Sequence, residues 1–264
     1  MAKPDYAELP DRTRVPILYE DRSVMAFDKP PGWVLGPDDE ERSRRNLHVA
    51  LTEGIEGGAY WARSRNLRFL RFVHRLDGPT SGVLLCAKAR GGIQPYSQLF
   101  ADRTVEKRYL AVVEGVPGEA RWACRLPLGP DPRQWGRHQV DEKEGKPSET
   151  EFRRLAVVGH RALVEARPHT GRTHQIRLHL RAADLPVVGD ELYGRRDAAG
   201  LGLRSIFLGY RDPFTGRPVR IRAAFDEWCV RFGFASPPAD TGAQTFAAPS
   251  TSTPPDAPED AGIT

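Results

Sequence analysis

Short apolar runs separated by turn-forming residues recur along most of this chain. Residues 23–28 (SVMAFD), 82–88 (GVLLCAK) and 107–115 (KRYLAVVEG) each have the length and apolar density of a strand. Residues 150–158 and 161–168 form two further runs separated only by Gly-His, which predicts a hairpin with a tight turn. The pattern therefore indicates a protein rich in strands.

Helical spacing is found in two places. Residues 93–104 (IQPYSQLFADRT) have apolar side chains at helical intervals, with Pro95 expected in the first turn. Residues 171–186 (GRTHQIRLHLRAADLP) are ambiguous, because apolar residues at alternate positions fit a strand while Ile176 and Leu180 share one face of a helix. The length of this segment and its end at a proline favour the helix.

The remaining segments complete the predicted architecture. Residues 129–148 are polar and predict a long hairpin or loop, and residues 204–225 predict a last hairpin around DPFTG. Residues 38–71 are charged, and their pattern favours no particular element. Many strands, few helices and mainly hairpin connections indicate an α+β fold with a mixed, mainly antiparallel sheet.

Composition divides the 264 residues into three parts. Residues 1–15 are polar and punctuated by proline, and we expect an N-terminal arm. Residues 237–264 are rich in Pro, Thr and Ala and carry four acidic residues and no basic ones, which predicts a disordered acidic tail. The intervening 16–236 form one domain, and the chain outside the tail has 39 basic against 31 acidic residues. This excess is consistent with a polyanionic partner.

Cysteine usage and hydropathy point to a cellular compartment. Cys86, Cys124 and Cys229 are far apart and form no CxxC pair, so we expect reduced, mostly buried thiols. The start of the chain lacks an apolar leader, and no stretch approaches the roughly 18 apolar residues of a membrane span. We therefore expect a cytoplasmic protein with no membrane partner.

Asp77 is the most conspicuous candidate for chemistry. It lies in HRLDGPTSG (residues 74–82), between an Arg-Leu pair and a run of turn residues. It has two possible roles: a reactive carboxylate held beside a basic residue, or a turn residue that accepts bonds from the following amides. A reactive carboxylate needs a basic partner that keeps it ionised and aimed. That partner could lie in HRLD itself or in GRTHQIR, residues 171–177.

Other catalytic classes lack their signatures. The histidines at 169, 174 and 179 recur every five residues, which fits neither the helical nor the zinc-finger spacing of metal ligands. We find no glycine-rich turn of the nucleotide-binding kind and no Gly-x-Ser-x-Gly elbow. We therefore expect no metal and no cofactor. Tyr109, in its apolar strand, has the usual setting of a packing residue.

Taken together and in order, these motifs are recognisable. KPPG, HRLDGPTSGVLLCAK, VEKRYLAVVEG, GKPSETEFRRL, TGRTHQIRLHL, PVVGDELYG and DPFTG resemble the pattern of the RluA-like family of RNA pseudouridine synthases, over residues 16–235. The resemblance implies a central active-site cleft in the sheet. It also implies an enzyme that isomerises uridine to pseudouridine in structured rRNA or tRNA, without cofactor or metal, by flipping the base out of the RNA. We separately expect a monomer.

The resemblance also assigns roles to residues. Asp77 resembles the family's essential aspartate, and Arg177 resembles the arginine that pairs with it. Tyr109 resembles the tyrosine that stacks on the target base and can assist proton removal at C5. Arg75 resembles the arginine that fills the gap left by the flipped nucleotide. Further residues expected to bind substrate are His74, Arg172, Thr173 and His174.

Two alternatives remain open at this stage. The first is a catalytically silent RNA-binding protein of the same fold, which predicts loss of Asp77, Tyr109 or Arg177, although all three are present. The second is an acid/base hydrolase, which needs a second carboxylate in the cleft. Asp190, in GDELYG, is the candidate for that carboxylate, although an aspartate in a turn is more often a cap.

Overall fold

The computed structural model describes residues 2–36 and 45–237, which contain thirteen strands and five helices. The strands are β1 Tyr6–Glu8, β2 Arg14–Glu20, β3 Val24–Lys29, β4 Arg71–Phe72, β5 Ser81–Ala87, β6 Glu106–Glu114, β7 Arg121–Cys124, β8 Leu128–Pro130, β9 His138–Val140, β10 Thr150–Val158, β11 Arg161–Pro168, β12 Leu203–Arg211 and β13 Pro218–Arg222. The helices are α1 Leu47–Glu56, α2 Tyr60–Arg63, α3 Arg90–Ala101, α4 Gln175–Ala182 and α5 Asp226–Arg231.

Eleven of these strands form one mixed sheet. Its main order is β1-β2-β3-β5-β12-β6-β11-β10-β7, with β4 paired to β5 and β13 paired to β12. The pair β5–β12 is parallel, and the other strand pairs in the described part of the chain are antiparallel. Strands β8 and β9 form a separate hairpin. The predicted α+β class with a mainly antiparallel sheet is confirmed.

One face of the sheet carries two apolar cores. Helices α1 and α2 cover β3 and β5 in the first, and α4 covers β6, β10 and β11 in the second. Tyr109 of β6 packs against both cores, which places it at their junction. A cleft opens at this junction, in the centre of the sheet.

The sheet centre also requires a very close approach between β5 and β12. A Cβ at Gly82 would lie 2.0 Å from the carbonyl oxygen of Ser205, and the φ of Gly82 is +112°. Both features demand glycine at this position. The second glycine of GPTSG therefore serves the sheet next to the cleft.

Most predicted elements are confirmed, and the hairpin of β10 and β11 has the predicted boundaries. The segment 171–186 is a helix, although regular α-helix is confined to Gln175–Ala182. Helix α3 begins at Arg90, so Pro95 lies beyond the first turn where it was expected. Part of the unassigned segment 38–71 forms α1 and α2, while its residues 38–44 lie outside the described residues.

The expected N-terminal arm is wrong for much of residues 1–15. Residues 6–8 pair with residues 14–16, and β2 then joins β3 at the edge of the main sheet. Ala7 and Val15 are fully buried in the first core, and Leu9 is nearly so. Burial of these few apolar side chains holds the segment in place even though most of its residues are polar. The predicted tail lies outside the described residues from position 238 onward.

Two features of the described residues are relevant to function. No helix among them is long and apolar enough to cross a membrane. Within the same residues, no group of three or more His, Cys, Asp or Glu side chains is arranged to hold a metal ion.

Candidate active site

A cavity of about 390 Å³ lies at the junction of the two cores. Its wall combines the Asp77 loop, the central strand β6 and the segment that leads into α4. Every residue predicted to be catalytic or to bind substrate lines it: His74, Arg75, Asp77, Tyr109, Arg172, Thr173, His174 and Arg177. Tertiary structure thus brings together segments that are up to a hundred residues apart in sequence.

Asp77 lies in the connection between β4 and β5, where its backbone and its side chain have different surroundings. Its backbone carbonyl accepts a hydrogen bond from the Thr80 amide at 3.0 Å, which closes the turn. Its carboxylate instead faces the cavity, with the side chain 17% exposed. The backbone of Asp77 therefore closes the turn, while its carboxylate remains accessible from the cavity.

Lys29 stabilises the turn that follows Asp77, from the buried side of that turn. Its side chain is fully buried, and its Nζ donates to the carbonyl oxygens of Gly78 and Thr80 at 2.7 and 2.8 Å and to that of Pro30 at 3.1 Å. The Gly32 amide also donates to the Gly78 carbonyl at 2.9 Å. The KPPG motif thus fixes the backbone that carries Asp77. Burial lowers the pKa of Lys29 to about 7, and the charge of Asp77 opposes that shift.

Arg177 is the partner of the Asp77 carboxylate. Its Nη1 lies 3.2 Å from Asp77 Oδ2, and the guanidinium is almost completely buried. Its Nε and Nη2 donate to the two oxygens of Asp190, each at 2.7 Å. Burial disfavours the charged guanidinium, but Asp190 and then Asp77 outweigh it, so the pKa of Arg177 is raised.

Asp190 supports this site from a buried position next to Arg177. Its side chain is fully buried and accepts hydrogen bonds from the Leu192 and Tyr193 amides at 3.0 and 3.1 Å. It is therefore a turn cap, as expected, and also the second carboxylate of Arg177. It does not line the cavity. The geometry consequently gives no support to the hydrolase alternative, which needs a second carboxylate facing the substrate.

His174 stands at the entry to α4. It is the N-cap residue and has a left-handed φ of 57°, which is uncommon for a residue other than glycine. Its Nδ1 lies 2.8 Å from Tyr193 Oη, and its Nε2 lies 4.0 Å from Asp77 Oδ2. Burial lowers its pKa to about 4, with the nearby Asp77 acting in the opposite direction.

Gln175 orders the loop before α4. Its Oε1 accepts from the Thr170 hydroxyl at 2.7 Å and from the Arg172 amide at 2.9 Å. Its Nε2 donates to the Glu149 carbonyl and the Thr150 hydroxyl, both at 2.9 Å. One buried amide therefore ties the segment of Arg172 and Thr173 to β10.

Tyr109 combines packing with access to the cavity. It lies opposite Ala166 of β11 and Ser205 of β12 in the register of the sheet. Burial raises the pKa of its phenol, an effect that the Ser205 hydroxyl partly offsets and Asp77 increases. The neutral phenol ring of Tyr109, with one side in the cavity, offers a surface on which a flat base can stack.

His74 and Arg75 are adjacent in sequence but differ in exposure and in contacts. His74 Nε2 accepts from the Leu85 amide at 2.9 Å, and its ring stacks on Phe100 with centroids 4.5 Å apart. Burial lowers the pKa of His74 to about 3, so the ring is a neutral part of the wall rather than a charged substrate ligand. Arg75 is exposed and lines the same cavity.

Several residues of the site were not identified from sequence. Lys29, Gln175 and Tyr193 support it, and Lys107 lines it with its Nζ 2.9 Å from the Thr170 carbonyl. Burial lowers the pKa of Lys107 to about 8, with nearby Arg103 acting in the same direction. The signal for Lys29 and Lys107 was their place in the KPPG and EKRY motifs, but their contacts depend on distant backbone.

Known proteins resemble this chain in sequence over most of its length. Residues 23–182 match the family model described as RNA pseudouridylate synthase. The ribosomal large subunit pseudouridine synthase C of Escherichia coli (strain K12) is 36% identical over 227 residues, which are 81% of this chain and 68% of that protein. The protein of the same name from Pasteurella multocida (strain Pm70) is 34% identical over 220 residues, covering 80% of this chain and 64% of that one.

Solved structures show the same fold. Human RNA Pseudouridylate Synthase Domain Containing 1 superposes with a TM-score of 0.62 at 26% identity, covering 80% of this chain and 83% of that one. Human RNA Pseudouridylate Synthase Domain Containing 4 superposes with a TM-score of 0.65 at 21% identity, covering 81% and 90%. The matched family model and the relatives' sequence identity lead to one conclusion: the chain belongs to the RluA-like family of RNA pseudouridine synthases.

Proposed function

We propose that this enzyme converts uridine to pseudouridine in structured RNA of the large ribosomal subunit, with Asp77 as its essential carboxylate. The observation that carries the proposal is the Asp77 side chain, which faces the cavity and is held at 3.2 Å by a buried arginine. Relatives named as ribosomal large subunit pseudouridine synthases support the choice of RNA.

The reaction requires a cleft of this kind. The N1–C1′ bond of uridine breaks and a C5–C1′ bond forms, so the isomerisation is redox-neutral. A base within structured RNA must first leave its stack, which costs a few kcal/mol. Tyr109 packing on the base and Arg75 filling the space it leaves would offset part of that cost.

Asp77 then acts at the sugar, as nucleophile at C1′ or as base at C2′. Both routes need the same ionised carboxylate, and Arg177 stabilises that state through a charge-assisted hydrogen bond. Arg177 is itself held by Asp190, so its guanidinium is oriented before the substrate binds. Such preorganisation is an effective way to stabilise charge in a transition state.

The alternative is a silent RNA-binding protein with this fold. It predicts that the catalytic residues have drifted, whereas Asp77, Tyr109 and Arg177 all face one cavity. The two functions are distinguished by mapping pseudouridine in total RNA from cells with and without the gene. We expect at least one uridine of the large-subunit RNA to lose its modification when the gene is deleted.

A purified-protein experiment assigns the chemistry to Asp77. Asp77→Asn keeps the size of the side chain but removes the charge and the nucleophile. We expect it to fold, to bind RNA within about tenfold of wild type and to form no detectable pseudouridine. Asp184→Asn is the matched control, because Asp184 carries the same group with its side chain 96% exposed. Measurable turnover by Asp77→Asn would refute the assignment.

A further inference from the structure

The imidazole of His174 has a protonation pattern that the surrounding hydrogen bonds determine. Tyr193 Oη carries a single hydrogen and lies 3.0 Å from the His138 carbonyl oxygen, to which it donates. Tyr193 Oη also accepts a hydrogen bond from the His138 amide, at 3.0 Å. Pro130 is the partner of His138 in the β8–β9 hairpin and has no amide hydrogen to give that carbonyl.

Since the Tyr193 hydrogen is already committed, the hydrogen between Tyr193 Oη and His174 Nδ1, 2.8 Å apart, belongs to the histidine. A neutral imidazole with its hydrogen on Nδ1 has a free lone pair on Nε2. Burial keeps the ring neutral, since it lowers the pKa of His174 to about 4. His174 Nε2 is therefore a hydrogen-bond acceptor on the cavity wall.

Two acceptors consequently face each other beside the reaction centre. His174 Nε2 lies 4.0 Å from Asp77 Oδ2, too far for a direct hydrogen bond. A substrate hydroxyl between them could lie at hydrogen-bond distance, about 2.8 Å, from each. The hydroxyl would donate its hydrogen to one of the two acceptors. Because the imidazole hydrogen of His174 is on Nδ1, the lone pair of Nε2 is available for that bond.

We propose that His174 Nε2 accepts a hydrogen bond from the 2′-hydroxyl of the target uridine and so selects ribose over deoxyribose. The inference rests on the proposed function, in which Asp77 acts at C1′ or C2′. The 2′-hydroxyl is bonded to C2′, so it is the donor of the nucleotide nearest to that chemistry. The imino hydrogen of uracil lies on the pairing edge of the base, away from the sugar. A 2′-hydroxyl is also the group by which proteins distinguish RNA from DNA.

Two variants separate this contact from a structural role of the ring. His174→Asn tolerates the left-handed φ, and its short amide can donate to Tyr193, but it has no atom at the position of Nε2. His174→Gln is longer and can bring an amide oxygen to that position. The first variant removes the proposed acceptor, and the second restores it in part.

The experiment uses one structured RNA with uridine, 2′-deoxyuridine or 2′-fluoro-2′-deoxyuridine at the target position. Affinity is measured for all three RNAs and the single-turnover rate wherever turnover occurs. Both 2′-deoxyuridine and 2′-fluoro-2′-deoxyuridine lack the 2′-hydroxyl donor. With wild-type enzyme we expect either substitution to weaken binding or slow turnover by about tenfold or more. For His174→Asn the ratio between uridine and deoxyuridine should fall to about one to threefold, with His174→Gln in between.

The outcomes separate the two proposals. If wild type forms no pseudouridine in any large-subunit RNA, the proposed function itself fails. If wild type is active but treats deoxyuridine as it treats uridine, the inference alone is overturned. It is also overturned if His174→Asn lowers activity on all three RNAs by the same factor, because that is the result of a purely structural role.

Discussion

Arg177 divides one guanidinium between two carboxylates, with Nε and Nη2 on Asp190 and Nη1 on Asp77. The two contacts differ in environment. Asp190 is fully buried, whereas the Asp77 side chain is 17% exposed and faces the cavity. The bidentate pair with Asp190 therefore orients the arginine, and Nη1 reaches the carboxylate that faces the cavity.

Asp190→Asn tests this arrangement. We expect kcat to fall about ten- to a hundredfold while RNA affinity stays within about threefold, because Asp190 does not touch the cavity. Breaking one side of a buried ion pair should also lower the free energy of unfolding by about 3–5 kcal/mol. Single-turnover kinetics and denaturant unfolding measure the two effects. An unchanged kcat in a destabilised variant would show that Asp190 serves folding alone.

Lys29→Met should loosen the turn that carries Asp77, because it removes the hydrogen bonds of Lys29 Nζ. The substitution removes the Lys29 donor from three carbonyl oxygens, including those of Gly78 and Thr80 on either side of Pro79. The Gly78 carbonyl keeps only its bond from the Gly32 amide. We expect turnover to fall by at least about tenfold, together with a loss of roughly 1–3 kcal/mol in stability. Turnover and urea unfolding are the measurements.

Lys88→Met is the matched control for that variant. Lys88 is also mostly buried, and its Nζ donates to a backbone carbonyl, that of Asp21, as well as to Glu20. It does not line the cavity, so its loss should lower stability without lowering kcat. Equal catalytic losses in the two variants would mean that the effect of Lys29 is general destabilisation.

Arg75→Ala should impair structured substrates more than unstructured ones. The side chain is exposed at the cavity, where it can occupy the gap in the base stack. A short unstructured RNA with the same uridine needs little help in unstacking. We therefore expect single-turnover rates to fall at least tenfold more on the structured RNA. Equal losses would instead indicate a simple phosphate contact.

Arg103→Asn is the comparison for Arg75. Arg103 also lines the cavity and has a left-handed φ of 59°, which asparagine tolerates. Removal of a charge that contacts only phosphate weakens binding to all RNAs by a similar factor and lowers its salt dependence. We expect Arg103→Asn to show this uniform loss on the structured and unstructured RNAs.

Stability should decrease in mild acid because two buried histidines stay neutral in the folded state. The pKa values are about 3 for His74 and about 4 for His174, against 6.5 for an unperturbed histidine. Between about pH 6.5 and 4 the unfolded chain therefore binds more protons, and the free energy of unfolding falls as pH is lowered. Above about pH 7.5 the unfolded histidines are also neutral, so neither contributes to the pH dependence there.

His174→Asn tests the contribution of one of these groups. Near pH 5 the unfolded state carries about 0.9 proton more at this position, which corresponds to a slope of about 1.2 kcal/mol per pH unit. We expect the variant to lose that part of the slope, whatever its stability at neutral pH. Urea unfolding at several pH values measures it. A slope equal to that of wild type would show that His174 is charged in the folded state or does not titrate there.

Local pattern was sufficient for much of the fold. The strands at residues 150–158 and 161–168 were predicted with their observed boundaries, because apolar runs around a two-residue turn have few other solutions. The N-terminal strands were missed because β1 has only three residues and β2 begins within a segment rich in charged residues and proline. Their place in the sheet depends on burial of Ala7, Leu9 and Val15 against a core formed by later segments.

The sequence by itself determined which residues can carry the chemistry, since HRLD, KRY and GRTHQIR contain the charged and aromatic groups that a carboxylate-based isomerisation needs. Only the tertiary structure decided how they work together. It placed Asp190 behind Arg177, Lys29 beneath the Asp77 turn and Tyr193 against His174. The reason is that hydrogen bonds and desolvation depend on distance and burial, and segments remote in sequence acquire these only when the sheet brings them together.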